Sequence, residues 1–434
     1  MSFLRRRVRW VLIAWMFVMS TIAYLDRANI AVAGSEMARE YHLDNIRLGW
    51  VFSAFVLGYA VFQAPGGRIA DRFGPRRVLT CAVIWWGIFT ALTAAVPTQI
   101  TSALAVLIAV RFTLGLGEAV VYPCSNRLVA NWIPSAERGV ANGLIFAGVG
   151  VGAGAAPPLI TYIVVNYGWR WSFWASAVLG GIAGVVWYFL ARDTPGEHPW
   201  IGPEEQAHIT SGLPAIQKEH DAVPWSAILG SKDVWAITLS YFSYGYTAYI
   251  FFTWFFIYLS TVRGLNLKSS AYFAMLPPLT MAVCSQLGGW ISDRLSKRSG
   301  KRIGRCGVAV AGIGLAAVFL ALGPQAQSAE LASVILAGGA GALYLSQSSF
   351  WSVTADIAGP SAGTVSGVMN MGAQIGGTVT ASLTPWIAKH FGWTESFLVA
   401  AGLCALGALA WLVVNPSREL RTEPQLVSGA AARG

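Results

Sequence analysis

Twelve apolar stretches of about 20 residues, spaced along nearly the whole chain, constrain this 434-residue sequence more than any other feature. A helix of that length crosses the hydrocarbon core of a bilayer. The stretches run approximately over 10–33, 49–70, 77–98, 102–124, 139–165, 170–191, 234–261, 270–291, 303–323, 331–354, 362–388 and 394–415, and are numbered here as spans 1 to 12. Composition agrees, since 55% of residues are apolar and only 12% charged, about half the charged share of a soluble globular chain. That excludes a water-soluble enzyme, and also disorder, which needs low hydrophobicity and many charges. Span 1 follows Arg5, Arg6, Arg7 and Arg9 as the core of a signal peptide would. It lacks a small-residue cleavage site and continues through Tyr24, so it reads as a retained span. Five scattered cysteines show neither a disulfide framework nor metal-ligand spacing.

With both chain ends placed in the cytoplasm, 22 of the 30 lysines and arginines fall inside and six outside, while Arg27 and Arg111 lie within spans. The positive-inside rule selects that orientation. It also accounts for the net charge of +10 without any nucleic acid partner. The one long loop, Arg192 to Asp233, carries prolines, glycines and seven acidic residues and divides the spans six and six. The expected organisation is therefore an all-α membrane protein of twelve transmembrane helices in two pseudo-symmetric bundles. Residues 1–191 form the first bundle, 192–233 a cytoplasmic linker with a short surface helix around Glu204–Ile209, and 234–434 the second bundle with a short tail.

The halves repeat one another. GGRIADR (Gly66–Arg72) after span 2 returns as GGWISDR (Gly288–Arg294) after span 8, with five of seven residues identical at an offset of 222. Gly139–Phe173 matches Gly363–Phe397 at ten of 35 positions at an offset of 224, and five of the seven glycines of the first segment (Gly139, Gly143, Gly148, Gly152 and Gly168) have glycine partners. Six spans per half is an even number, so the repeat is parallel. Such glycines let helices approach closely. GGRIADRFGPRR and RFTLGLGEA, with the six-plus-six repeat, resemble the major facilitator superfamily over nearly the whole chain. In that resemblance Gly67, Asp71, Arg72, Asp293 and Arg294 belong to a cytoplasmic gating motif that latches an outward-open state. Asp71 is expected to face a helix N-terminus of the other bundle, at span 11, where a carboxylate is favoured, and Glu137 and Arg138 are expected to join that cluster.

Ionisable residues inside a bilayer are costly and functional by default. Four qualify: Asp26 and Arg27 in span 1, and Arg111 and Glu118 in span 4. Arg111 and Glu118, seven residues apart, share a helix face at a separation of roughly 10 Å. Their repeat positions hold Ile335 and Ala342, so the ion chemistry belongs to the first bundle. Two arginines against two carboxylates are open to a purely static reading as buried ion pairs. The functional reading rests on the bidentate fit of a guanidinium to a carboxylate, and on desolvation, which disfavours a carboxylate's charged form and suits it to carrying a proton.

YLDRANIAVA (Tyr24–Ala33), FSAFVLGYAVFQAPGG and GEAVVYPCSNRLVANWIP resemble the anion:cation symporter family, which includes bacterial galactonate, hexuronate and glucarate transporters, sialin and the vesicular glutamate transporters. The resemblance implies that Arg27 and Tyr59 bind a substrate carboxylate, with Tyr24 lining the site. It implies that Asp26 and Glu118 carry coupling protons, with Arg111 as partner of Glu118. It further places Ser348, Ser349, Trp351 and Asn370 at hydroxyl contacts. Gln63, one turn below Tyr59, is a further candidate for the cavity wall, though helix packing explains it equally well. Span 7 carries Tyr241, Tyr244, Tyr246, Tyr249 and Trp254, with no arginine for a second anionic group.

The reading that follows is a proton-coupled importer of a small organic anion, foremost a sugar acid, working by alternating access in a bacterial inner membrane. Its partners are the anion, protons and the bilayer; it is expected as a monomer without cofactor, driven by the proton gradient. An aromatic or other non-sugar carboxylate is the rival within the class. An exporter or antiporter, and a sensor built on a transporter fold, fit less well, since cavity cations are few and no signalling domain is visible. No nucleophile triad, metal cluster or Walker-type loop appears. His42, His198, His208, His220 and His390 lie in or beside loops and are expected to be solvated.

Overall fold

The computed structural model describes residues 7–43, 45–99, 102–213, 223–255, 258–265 and 267–420. Arg5 and Arg6 of the basic N-terminus, His220 of the linker and the end of the tail lie outside the described residues. Helices Val8–Glu40, Asn45–Phe73, Pro75–Ala95, Arg138–Tyr167, Trp169–Leu190, Lys232–Thr253, Val308–Leu322, Ala362–His390 and Trp393–Ala410 form spans 1, 2, 3, 5, 6, 7, 9, 11 and 12. The other three spans are each made of two α-helical pieces: Ala103–Glu118 with Val121–Trp132 in span 4, Leu267–Ala274 with Leu276–Ser299 in span 8, and Ala329–Leu345 with Gln347–Ala358 in span 10. There is no strand among the described residues, as a bilayer requires of a chain that is not a closed barrel.

Eight helical stretches, one of them running through spans 10 and 11, are long and apolar enough to cross a membrane by composition alone. Spans 2, 7 and 8 fall short because they carry polar residues toward the interior, among them Tyr59, Gln63, Ser240, Tyr241, Ser243, Tyr244 and Ser285, all buried. The breaks have local causes. Pro123 has no amide hydrogen to give the Ala119 carbonyl, so span 4 interrupts there. In span 10 the Ser346 hydroxyl donates to the Leu343 carbonyl at 2.5 Å, drawing the turn away from regular pairing.

Packing repeats with the sequence. Span 1 lies on span 5 as span 7 lies on span 11, and the halves meet where span 2 crosses span 11 and span 5 crosses span 8. At both crossings the backbones touch. A Cβ on Gly67 would stand 2.1 Å from the Gly363 carbonyl oxygen, and one on Gly289 would stand 2.1 Å from that of Gly139. Gly67→Val should therefore wedge this end open, at a cost to the closed form of about 1–3 kcal/mol. With Cys81 replaced, spin labels at positions 77 and 298 should report a longer and broader distance distribution; an unchanged one contradicts the wedge.

The linker is more than a tether. Its helix Pro203–Gly212, which covers the expected Glu204–Ile209, docks on the first bundle through Glu205, which accepts from the Val8 amide (2.9 Å) and Arg9 Nη1 (2.9 Å). His198 is not solvated as expected. It is buried against the Trp132 ring and bonded to the Leu190 carbonyl at 2.9 Å. Burial holds its imidazole below the usual histidine range. The linker folds back onto the bundle, which residue type alone does not signal.

Candidate substrate and coupling site

A cavity of about 410 Å³ separates the two halves, lined by Tyr24, Arg27, Phe55, Tyr59, Tyr249 and Gln374 around its inner part. Ile30, Val32, Phe52, Thr253 and Ala274 carry the lining toward the end opposite the linker. Deeper lies a smaller pocket of about 40 Å³ with walls from Tyr122, Tyr241, Tyr344, Gln347, Trp351 and Asn370. Aromatic rings line both, with aliphatic side chains in the larger cavity and the amides of Gln347, Asn370 and Gln374 in the smaller.

Successive residues of a helix point about 100° apart, and the pair Asp26–Arg27 uses this to face two ways. Arg27 lines the cavity, its guanidinium carbon 4.9, 5.2 and 4.5 Å from the ring centres of Tyr24, Phe55 and Tyr59. Its Nη2 donates to Glu118 Oε1 at 2.8 Å, while its Nε and Glu118 Oε2 have no hydrogen-bond partner. Asp26 turns instead toward span 3, where its Oδ2 accepts from Trp86 Nε1 (2.6 Å) and Thr90 Oγ1 (3.0 Å), and its Oδ1 is unpartnered. Arg111 is buried with its guanidinium 4.8 Å from the Phe55 ring centre, and makes no ion pair among the described residues. One expectation is corrected here: Glu118 pairs with Arg27 and not with Arg111. Of the four charged residues only Arg27 lines the main cavity. Two turns of one helix hold Arg111 and Glu118 too far apart to pair, whereas span 1 brings Arg27 directly opposite.

The second half supplies neutral polar groups. Tyr241 accepts at its hydroxyl from Gln347 Nε2 (2.9 Å) and Trp351 Nε1 (3.0 Å), and Tyr249 donates to Gln374 Oε1 (2.9 Å). Asn370 Nδ2 donates to Gln63 Oε1 at 3.0 Å, a bond that joins the halves. Trp351 and Asn370 line the smaller pocket, but Ser348 and Ser349 line neither cavity and their buried hydroxyls are unpartnered. Gln347 and Gln374 are new to the site. Gln374 follows Asn370 by four residues, as Gln63 follows Tyr59, and that shared spacing was the available signal.

The family model described as Major Facilitator Superfamily matches residues 16–381 and 300–431. The chain belongs to the major facilitator superfamily. It is thus a membrane transporter and not an enzyme. It is 34% identical over 418 residues to the probable sulfoacetate transporter SauU of Cupriavidus necator, covering 95% of each chain. It is 30% identical over 447 residues to the probable galactarate/D-glucarate transporter GudP of Escherichia coli, covering 98% of this chain and 97% of the relative. The solved proton:xylose symporter XylE, bound to 6-bromo-6-deoxy-D-glucose, shares the fold with a TM-score of 0.73 at 15% identity, covering 94% of this chain and 97% of that one.

In this transporter the linker end is shut by two repeat-related contacts. Asp71 accepts at its two oxygens from the amides of Gly363 (2.9 Å) and Thr364 (2.7 Å), at the start of span 11. Asp293 accepts from the amides of Gly139 (2.9 Å) and Val140 (2.7 Å), at the start of span 5, and from Arg305 Nη1 (2.6 Å). Free amides and the positive helix end suit a carboxylate at both places. Between them Arg138 Nη1 donates to Asp356 Oδ1 at 2.8 Å, and Asn126 Nδ2 to Thr354 Oγ1 at 2.9 Å. Glu137 stands apart from that cluster, on Arg9 (3.1 Å) and His208 (2.8 Å). Arg72 and Arg294 form no ion pair among the described residues and lie over the rings of Phe73 and Trp290.

Proposed function

We propose that this transporter imports a small organic anion together with protons, and that the anion is a sugar acid of the hexonate, hexuronate or aldarate type. One observation carries the reading: the guanidinium that faces the cavity is held by a carboxylate of its own chain, Glu118, at 2.8 Å. A substrate carboxylate and the Glu118 carboxylate compete for the same fork. Protonating Glu118 releases Arg27 for the substrate, which makes proton loading a condition of tight binding. Asp26, buried with one oxygen unpartnered, is the second proton carrier of the proposal, and Arg111 the fixed positive charge that keeps both carboxyls inside the bundle. The hydroxyls of Tyr24, Tyr59 and Tyr249 and the amides of Gln374 and Asn370 favour a hydroxylated acid. In this proposal the latches formed by Asp71 and Asp293 keep the linker end closed while the cavity faces outward, and the excess of basic residues at that end supports the cytoplasmic side of a bacterial inner membrane.

A second reading, a compact or aromatic non-sugar acid, is favoured by the apolar wall of Ile30, Val32, Phe52, Phe55 and Phe252. Thermal-shift measurements with galactarate, glucuronate, sulfoacetate and benzoate, followed by uptake into proteoliposomes with acid outside, separate the two. A ligand at a hundred times its dissociation constant stabilises by about 2.7 kcal/mol. The expected result is a shift and accumulation with the sugar acids. A response to sulfoacetate or benzoate alone decides for the second reading.

A further inference from the structure

The linker end carries two clefts related by the internal repeat, one beside the crossing of spans 2 and 11 and one beside that of spans 5 and 8. The first is filled by the chain itself. Arg68 Nη1 donates to the Val223 carbonyl at 2.8 Å, the Val223 amide donates to Ser361 Oγ at 2.8 Å, and Val223 is buried. In the second cleft, Trp290 stands at the repeat position of Arg68, at the offset of 222. No described linker residue lines this cleft, and a cavity of about 220 Å³ remains. Trp10, Glu137 and Val140 of the first half and Trp290, Arg294 and Lys297 of the second enclose it.

Its charges are unevenly matched. Asp293 is engaged by Arg305 and the span 5 amides, and Glu137 by Arg9 and His208. Arg294 and Lys297 make no ion pair among the described residues; Arg294 lies 5.4 Å from the Trp290 ring centre, and Lys297 is exposed. Unneutralised cations beside two tryptophans, at the end of a membrane helix, form the chemistry that meets lipid headgroups.

We propose that this cavity binds the phosphate headgroup of an anionic membrane phospholipid, with Arg294 and Lys297 on the phosphate and Trp10 and Trp290 along the glycerol and first acyl carbons. Both halves supply its walls. The lipid therefore binds the form in which spans 5 and 8 touch, and favours it over one in which they part. Where the repeat-related cleft is closed by the linker, this one is closed by the membrane.

Native mass spectrometry of the intact transporter in detergent, with phosphatidylglycerol added, tests the site. The expected result is one retained phosphatidylglycerol whose affinity falls about 25-fold in Arg294→Gln/Lys297→Gln, at about fivefold per charge. Arg294→Lys/Lys297→Arg should keep it, which separates lost charge from lost fold. Arg72→Gln/Arg77→Gln, which removes the same charge on the other side of the linker end, should bind as the wild type does. Unchanged affinity in Arg294→Gln/Lys297→Gln, or an equal loss in Arg72→Gln/Arg77→Gln, overturns the site. Equal retention of phosphatidylcholine overturns its anionic selectivity, and equally strong competition by glycerol phosphate overturns the lipid as occupant.

Discussion

Arg27→Ala is expected to remove measurable substrate binding in isothermal titration. Truncating one partner of a buried, hydrogen-bonded charge pair costs about 2–5 kcal/mol, and no other cation lines the cavity among the described residues. The same change leaves Glu118 as a buried carboxylate without its guanidinium, so thermal stability should fall as well. The double variant Arg27→Ala/Glu118→Gln separates the two effects, since it should recover stability without recovering binding. Arg27→Lys should fail in large part, because an ammonium cannot match a planar guanidinium set among the rings of Tyr24, Phe55 and Tyr59. Near-normal affinity in Arg27→Ala would place the substrate carboxylate elsewhere.

Glu118→Gln is expected to bind substrate and exchange it in counterflow, yet to accumulate none against a gradient. Glutamine keeps the shape of a protonated glutamic acid, so Arg27 is released in every state and nothing remains to be titrated. Proteoliposomes with and without an imposed pH gradient make the comparison. Concentrative uptake at the wild-type level would remove Glu118 from the coupling scheme. Loss of counterflow together with accumulation would return the Arg27–Glu118 pair to a static structural role.

The fold was legible because its determinants are periodic and repeated: apolar runs of membrane length, basic residues on alternate loops, and GGRIADR answered by GGWISDR. Even the latch at Asp71 was within reach, since the glycines that let two helices touch are themselves repeated at positions 139 and 363. The partner of Glu118 was not. Spacing along one helix says which residues share a face, but not which neighbouring helix supplies the opposite charge, and here that helix is span 1. The break in span 4 is written in Pro123, whereas the one in span 10 depends on how a single serine hydroxyl, Ser346, turns back on its own backbone. Ser348 and Ser349 were misplaced for the same reason, because the register of span 10 past that break sets which side chains meet the pocket.

The four ionisable residues deep in the spans all belong to the first half of the repeat, whereas the second half meets the cavity with phenols and amides. A duplicated gene whose copies have diverged in this way has two parts open to different selection. Substitutions at Asn370 or Gln374 can alter the shape and hydrogen-bonding character of the chamber without removing a partner of the Arg27–Glu118 pair or of Asp26. A lineage meeting a new nutrient can then adapt by changing one copy alone, and hybrids that exchange second halves between relatives become a direct way to watch that adaptation.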